Sequence, residues 1–232
     1  MSIKKHVKNI VKSIISRINK LEFNLNNYLG YDDYDMVEKR FLINDMINHN
    51  GGILDINTSI VIYKLDNYFS YNSNIKKVVN LDTSKAIILN GLFYKCYNIT
   101  SICNLNLKSC TDLDFSFSYT SIDESPILFN TYNLKSMVAT FSDCTSLKRV
   151  HYMDTKNVKN FRFTFFGCTN LKHIDWEIDM SSCEGVTGMF KYCDELKQVT
   201  LKNVPIVLKK DIETEWIIGI SKDKIIVKNY ID

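Results

Sequence analysis

The chain has 232 residues, 45% hydrophobic and 24% charged, with a formal net charge of +3, a balance that suits a folded globular protein and excludes a disordered one. No apolar run is long enough to cross a bilayer. The seven cysteines are odd in number and form no C-x-x-C pair, which excludes a complete disulfide framework and the common zinc patterns.

At the start of the chain, Ile3, Val7, Ile10, Val11, Ile14, Ile18, Leu21, Leu25 and Tyr28 keep helical spacing and Gly30 follows. This predicts one long amphipathic helix over 3–29. Residues 1–20 carry six Lys/Arg and no acid, leaving the remainder near −3, so the helix is basic. Lys4, Lys5, Lys8 and Lys12 interrupt its apolar stretch and no small-residue cleavage site follows, so it is not read as a secretory signal. Val7, Ile10, Ile14, Leu21 and Leu25 are the candidate oligomerisation or attachment face, while packing on the rest of the chain is the equal alternative. A second helix is expected at about 33–48, capped by Asp33 or Asp35 and closed by "NHNGG", which completes an N-terminal helical segment of 1–50. "SIVIYKL" at 59–65 reads as a strand leading onward.

Next comes a repeat. "FSDCTSLKRVHY" at 141–152 and "FFGCTNLKHIDW" at 165–176 share Phe, Cys-Thr, Leu-Lys and a β-branched residue in one register. Cys96 and Cys193 head further copies, and Asn72 and Tyr119 replace the cysteine in two weaker ones. The anchors 72, 96, 119, 144, 168 and 193 are spaced by 24, 23, 25, 24 and 25. Phe69, Phe93, Phe141, Phe165 and Phe190 each stand three residues before an anchor, and the third copy has Ser116 there, between Phe115 and Phe117. After each anchor, Leu-x-x-Val-x-Tyr, Leu-x-x-Ile-x-Trp or Leu-x-x-Val-x-Leu predicts a short strand with alternate residues facing inward. The inward set includes Leu147, Val150 and Tyr152, then Leu171, Ile174 and Trp176. One strand per repeat cannot bury its apolar face alone. Stacked copies form a parallel sheet over a shared core, with the Phe residues plugging the opposite side and the cysteines forming a buried column. "DTSKAI" at 82–87 and "DTKNVK" at 154–159 hold equivalent places and suit the return turn. The expected fold is therefore an α/β repeat: a leucine-rich-repeat solenoid of about six coils of 23–25 residues over 51–204, with N-terminal helices and a C-terminal cap over 205–232. In the cap, a helix is predicted near 206–217, a turn at Gly219 and a strand at 224–228.

The segments "LDTSKAIILNGLFYKCYNI", "MDTKNVKNFRFTFFGCTNLKHI" and "SSCEGVTGMFKYCDELKQV" resemble the BspA-type leucine-rich repeats, also called the Mycoplasma-type surface-protein repeat, over roughly 68–204. The resemblance implies a leucine-rich-repeat solenoid used for binding, often in adhesion at a cell surface.

No catalytic or nucleotide-binding motif occurs, and no clustered ligands suggest a metal. His151 and His173 alternate with apolar residues and should face outward, away from the cysteine column, so a Cys–His nucleophile is not expected. Asp175 and Glu177 read as a solvated strand face. No enzyme activity, cofactor or metal is expected. The outward strand face is the candidate binding surface: Arg149, His151 and Met153, then His173, Asp175 and Glu177, then Gln198, Thr200 and Lys202, preceded by Ser101, Cys103 and Leu105 and by Glu124, Pro126 and Leu128. Its mixed charge suits a protein or glycan receptor and lacks the cationic density of a nucleic-acid groove; loops on the turn edges are the other candidate. Scarce Gly, Ala, Arg and Pro beside abundant Lys, Asn, Ile, Tyr and Phe indicate an AT-rich genome. With no secretory signal expected, the favoured reading is a phage virion component of structural or receptor-binding, tail- or fibre-like type. It would contact other virion proteins and self-associate through helix 3–29. The alternative is a surface adhesin or intracellular interaction module of a low-GC bacterium or protist, in the cytoplasm or at a cell surface reached by a non-classical route.

Overall fold

The structure is a computed structural model that describes residues 47–48, 50–55 and 65–232. Among the described residues ten short strands follow one another: β1 Ile53–Asp55, β2 Lys77–Val79, β3 Ser101–Ile102, β4 Leu105–Asn106, β5 Leu128–Phe129, β6 His173–Asp179, β7 Gln198–Lys202, β8 Val204–Pro205, β9 Ile225–Val227 and β10 Tyr230–Ile231. Every pairing among the described residues is parallel, and partners lie about one repeat apart: Val78 pairs with Ile102, Leu105 with Leu128, His173 with Gln198 and Val199 with Ile225. Single bridges at Glu124–Arg149 and Arg149–His173 carry the ladder across the copies that lack named strands. The chain is a repeat solenoid of about seven turns.

The six-coil count is therefore too low. β1 adds a level below the first recognised copy, pairing Leu54 with Val78, and β9 adds one above the last. Neither carries the Phe and Cys of the repeat phrase. Both keep what the sheet needs, a short extended run with an apolar residue turned to the core.

Opposite the sheet, each coil closes through a ribbon of tight turns instead of a helix, and no α-helix occurs between residues 65 and 205. The α/β expectation thus fails for the repeats. The backbone explains the difference. In the second coil the N–H groups of Leu89, Gly91, Phe93 and Lys95 donate to the carbonyls of Asp112, Asp114, Ser116 and Ser118 one coil on, at 3.1, 2.7, 2.8 and 2.9 Å. The alternate N–H groups of Leu92, Tyr94 and Cys96 donate within the coil to Leu89, Gly91 and Phe93. The same pattern recurs from Leu113, Met137 and Phe161 onward. Main-chain groups thus find partners without a helix, as buried polar backbone must. The geometry requires two left-handed residues per coil, four apart: Asn67 and Tyr71, Gly91 and Lys95, Phe115 and Tyr119, Ala139 and Asp143, Phe163 and Gly167, Gly188 and Tyr192.

Inside this ribbon the phenylalanines form one stack. Phe69, Phe93, Phe117, Phe141, Phe165 and Phe190 have successive centroids 5.5, 6.3, 5.2, 5.8 and 5.6 Å apart and are all essentially buried. The third member is Phe117, so the anchor of that copy is Thr120 and not Tyr119. Tyr119 is the left-handed residue just before it, matching Lys95 and Asp143. One residue is missing after Thr120, so Ile122 returns to the inward position of Ile99 and Leu147. Beside the stack lies the cysteine column. The thiols of Cys96, Cys144, Cys168 and Cys193 donate to the carbonyls of Phe69, Phe117, Phe141 and Phe165 at 2.9–3.0 Å. A parallel hydroxyl column runs through Ser116, Thr140 and Thr164, which donate to the Leu89, Leu113 and Met137 carbonyls of the preceding coils.

The return turns use the motif as expected. Asp82 and Asp154 accept from the N–H two residues on, at Ser84 and Lys156, while buried Thr83 and Thr155 donate to Asn106 and Asp179 carbonyls of the next coil. The C-terminal cap is made of a 3₁₀ turn at Ile206–Leu208, α1 Lys209–Glu213, α2 Glu215–Ile218 and then β9. The predicted single helix is broken at Thr214, which is extended. The cap finishes the ladder: Phe190 N–H donates to Ile218 O at 2.9 Å, and Gly188 N–H to Ile217 O.

The helix predicted over 3–29, with Val7, Ile10, Ile14, Leu21 and Leu25, lies outside the described residues. So do most of the helix at 33–48 and of the strand at 59–65. Of these segments Ile47, Asn48 and Leu65 are described; Ile47 and Leu65 are buried in the core and Asn48 is exposed.

Candidate functional site

On the outward strand face, Arg149, His173, Asp175 and Gln198 are exposed, and His151, Glu177, Thr200 and Lys202 are half-buried. Met153 is not part of it. It is buried, as are Leu105, Pro126 and Leu128, because these coils form only two-residue strands or the isolated bridges at Glu124 and Arg149, too short to carry the alternation onward. Tyr152, expected inward, is turned out at 65% exposure for the same reason. Trp176 is intermediate, with its indole N–H donating to Val150 O at 3.1 Å and its ring edge-on to Tyr152 at 5.7 Å.

The charges of this face are engaged with one another. Arg149 lies 3.5 Å from Asp175, Lys202 lies 3.6 Å from Asp179, and Lys228 of the cap pairs with Glu177. His151 is held by Nδ1–H donating to Ser125 O at 2.7 Å, with Nε2 3.8 Å from Glu124. The face therefore presents paired ions and a pinned imidazole.

All seven cysteines are free thiols, and all but Cys103 are buried. Burial pushes Cys96, Cys110, Cys183 and Cys193 up to about 12 and Cys144 to about 11, and raises Cys168 well above the ordinary value. A thiol so placed is protonated at neutral pH and is a poor nucleophile or metal ligand. Among the described residues no group of His, Cys, Asp and Glu is arranged to hold a metal ion, and no helix is long and apolar enough to cross a membrane.

The turn ribbon presents a different surface. Apart from buried Ala139, its non-glycine left-handed corners turn side chains toward the surface, and five of the twelve corners carry aromatic rings: Tyr71, Phe115, Tyr119, Phe163 and Tyr192. An L-residue in this conformation costs roughly 1–2 kcal/mol, which glycine avoids at Gly91, Gly167 and Gly188. Around Lys95 the rings form a cluster. Tyr94 lies edge-on to Tyr71 at 5.3 Å, to Phe115 at 6.0 Å and to Tyr119 at 6.0 Å, and Tyr97 meets Tyr119 at 6.1 Å. The Lys95 ammonium stands 5.4, 5.1 and 5.5 Å from the centroids of Tyr71, Tyr94 and Tyr119, within cation–π range. A hydrogen bond to Tyr94 raises its pKa, while desolvation and the carboxylate of Asp143 raise that of Tyr119. Tyr71, Tyr97 and Phe115 keep 61%, 50% and 45% of their surface exposed. A smaller cluster follows the same edge further along, where Phe166 meets Phe163 and Tyr192 at 5.8 and 5.1 Å and Lys191 stands over Tyr192.

Residue-level reading of the sequence named the turn edges without naming these rings. The signal was present: the position before each anchor runs Tyr71, Lys95, Tyr119, Asp143, Gly167, Tyr192. Gly and Asp there mark a left-handed corner, and rings at the same corner have no inward role.

A family model described as "Mycoplasma protein of unknown function, DUF285" matches residues 11–127 and again 88–204. No curated protein and no solved structure matches the chain.

Proposed function

This chain belongs to the DUF285 family, and from that premise we propose that it is a non-catalytic interaction protein whose repeats, of BspA-type leucine-rich kind, present a binding surface for a protein or glycan receptor. The observation that carries the reading is the row of exposed aromatic rings held at strained corners of a rigid stack. Rigid Tyr and Phe give large contact area at small entropic cost on binding, and strain of this sort collects at functional positions. The strand face, with its ions paired, is the weaker candidate. The buried thiols support a role without cysteine chemistry.

At a finer level we propose a phage virion component, structural or receptor-binding, with residues 3–29 as its attachment or self-association element; the AT-rich codon signature and the basic charge of 1–20 support this. The second reading is a cellular surface adhesin or interaction module, in the cytoplasm or on the envelope, and the family's association with Mycoplasma favours it. Immunogold electron microscopy on the native source, with antibody raised against 68–204, separates the two. Label at a fixed place on particles supports the virion reading. Label on cell envelopes with bare particles overturns it and leaves the surface module. Label confined to the cell interior removes a display role altogether.

A further inference from the structure

We propose that the tyrosine-ringed Lys95 platform, formed by Tyr71, Tyr94, Lys95, Tyr97, Phe115 and Tyr119, is a docking site for an acidic saccharide, a chain of sugar rings bearing carboxylate or sulfate groups. This rests on the interaction reading above and names its ligand class.

What the platform lacks narrows the partner. The N–H groups of Tyr71, Lys95 and Tyr119 donate to the carbonyls of Tyr94, Ser118 and Ser142. Its main chain is thus committed to the stack and offers no open strand edge, so an extended peptide cannot add to it by backbone pairing. Recognition falls to ring faces, phenol hydroxyls and one ammonium. The apolar C–H face of a pyranose packs on an aromatic ring, and its equatorial hydroxyls meet hydrogen-bonding groups at the ring's edge. Tyrosine supplies both in one side chain. The edge-to-face packing of Tyr94 against its neighbours fixes the rings before a ligand arrives, so little entropy is lost on binding.

Charge sets the second half of the specificity. Lys95 is the one cation within the ring cluster, and among the described residues it makes no ion pair, whereas Arg149, Lys202 and Lys228 on the strand face each have a carboxylate. Its ammonium lies within 5.5 Å of three ring centroids, on a side chain that is half-buried. Ring faces favour the cation, and the donors that Tyr94 does not take remain for an anion arriving from solvent, where a charge-assisted bond is shorter and stronger than a neutral one.

The test is direct binding of the full chain to three probes of equal length: a sulfated heparin oligosaccharide, a carboxylated oligogalacturonate and a neutral malto-oligosaccharide. Titration calorimetry at physiological salt compares wild type, Lys95→Gln, Tyr71→Gly with Phe115→Gly, and Lys159→Gln as a distant charge control. The glycine changes keep the left-handed corners, so the fold is expected to persist, and circular dichroism checks it. The expected result is binding of at least one acidic probe, the sulfated and carboxylated arms showing which anion is read. The Lys95 variant and the ring variant each lose at least about tenfold, Lys159→Gln is unchanged, and the neutral probe binds more weakly. No binding of either acidic probe at millimolar concentration overturns the proposal. So does equal binding by Lys95→Gln, or an equal loss in Lys159→Gln, which marks diffuse charge attraction. Surface display seen by immunogold would survive any of these failures, so the two readings fall separately.

Discussion

At the corner before each anchor the chain places Tyr71, Lys95, Tyr119, Asp143, Gly167 and Tyr192 in one backbone conformation, and the side chain there decides what the surface offers. Gly219, at the end of α2 with φ 100°, shows the steric side of the same rule. A Cβ at this position would lie 2.5 Å from Lys191 Cα and closer still to its nitrogen, where backbone cannot yield. Gly219→Ala is expected to destabilise the protein by about 2 kcal/mol or more; an unchanged urea midpoint would contradict the close packing of cap on coil. Thiols give a second residue-scale result. With six of the seven cysteines buried, dithiobis(nitrobenzoate) should modify only Cys103 rapidly in the native protein and all seven after guanidinium. Rapid reaction of three or more native thiols would refute the buried column. The column was legible in the sequence because cysteine keeps a 24- or 25-residue register at 144, 168 and 193. The outward face was read less well: Met153 and Tyr152 exchange sides because period-two alternation presumes a continuous strand, whereas this coil has only the isolated bridge at Arg149.

Among elements, the phenylalanine stack outweighs the strand-face ions. Phe141 is buried between Phe117 and Phe165, 5.2 and 5.8 Å away with rings tilted by 15° and 2°. Its truncation opens a cavity at mid-stack that neighbouring coils, fixed by the ladder, cannot close. Phe141→Ala should cost about 3–5 kcal/mol. Arg149→Ala removes an ion pair whose partners are 55% and 56% exposed, and should shift stability by no more than about 0.5 kcal/mol. Equal losses from the two, measured by urea melts, would mean that the load has been assigned to the wrong side of the coil. The stack also shows where pattern reading slipped. Ser116 broke the Phe ladder on paper because the single-residue deletion after Thr120 moved the inferred anchor to Tyr119. Counted from Thr120 instead, Phe117 sits three residues before its anchor like every other member. The hydroxyl of Thr120 takes the thiol's place in the column but donates within its own coil, to Phe117 O at 2.8 Å, where the thiols reach the preceding coil.

For the whole molecule, stacked burial couples the coils to pH. Folded thiols at about 11 to 12 face an ordinary value of 9.0 in the unfolded chain. Below pH 9 both states hold these protons and stability is full. Between about 9 and 12 the unfolded chain releases protons that the folded chain keeps, so stability falls as pH rises, by about 1.4 kcal/mol per unit for each thiol. Several such thiols acting together predict steep alkaline unfolding above pH 9, followed by circular dichroism. A flat profile to pH 11 would contradict it. At this scale the repeat made the solenoid legible, since stacked copies are the only way for one short strand per 24 residues to bury its apolar face. It could not give the end levels. β1 and β9 lack the repeat phrase, and their membership rests on pairing with a neighbour that the sequence does not spell out.

On the proposed function, the ringed turn edge and not the strand face meets the partner. Hydroxyl-radical footprinting of the protein in its native setting, compared with the purified chain, tests this most directly. The predicted result is protection of Tyr71, Tyr97 and Phe115, with Tyr152 and His173 as reactive as in the purified protein. Protection of Tyr152 and His173 with the turn-edge rings left open would contradict it and return the binding surface to the sheet.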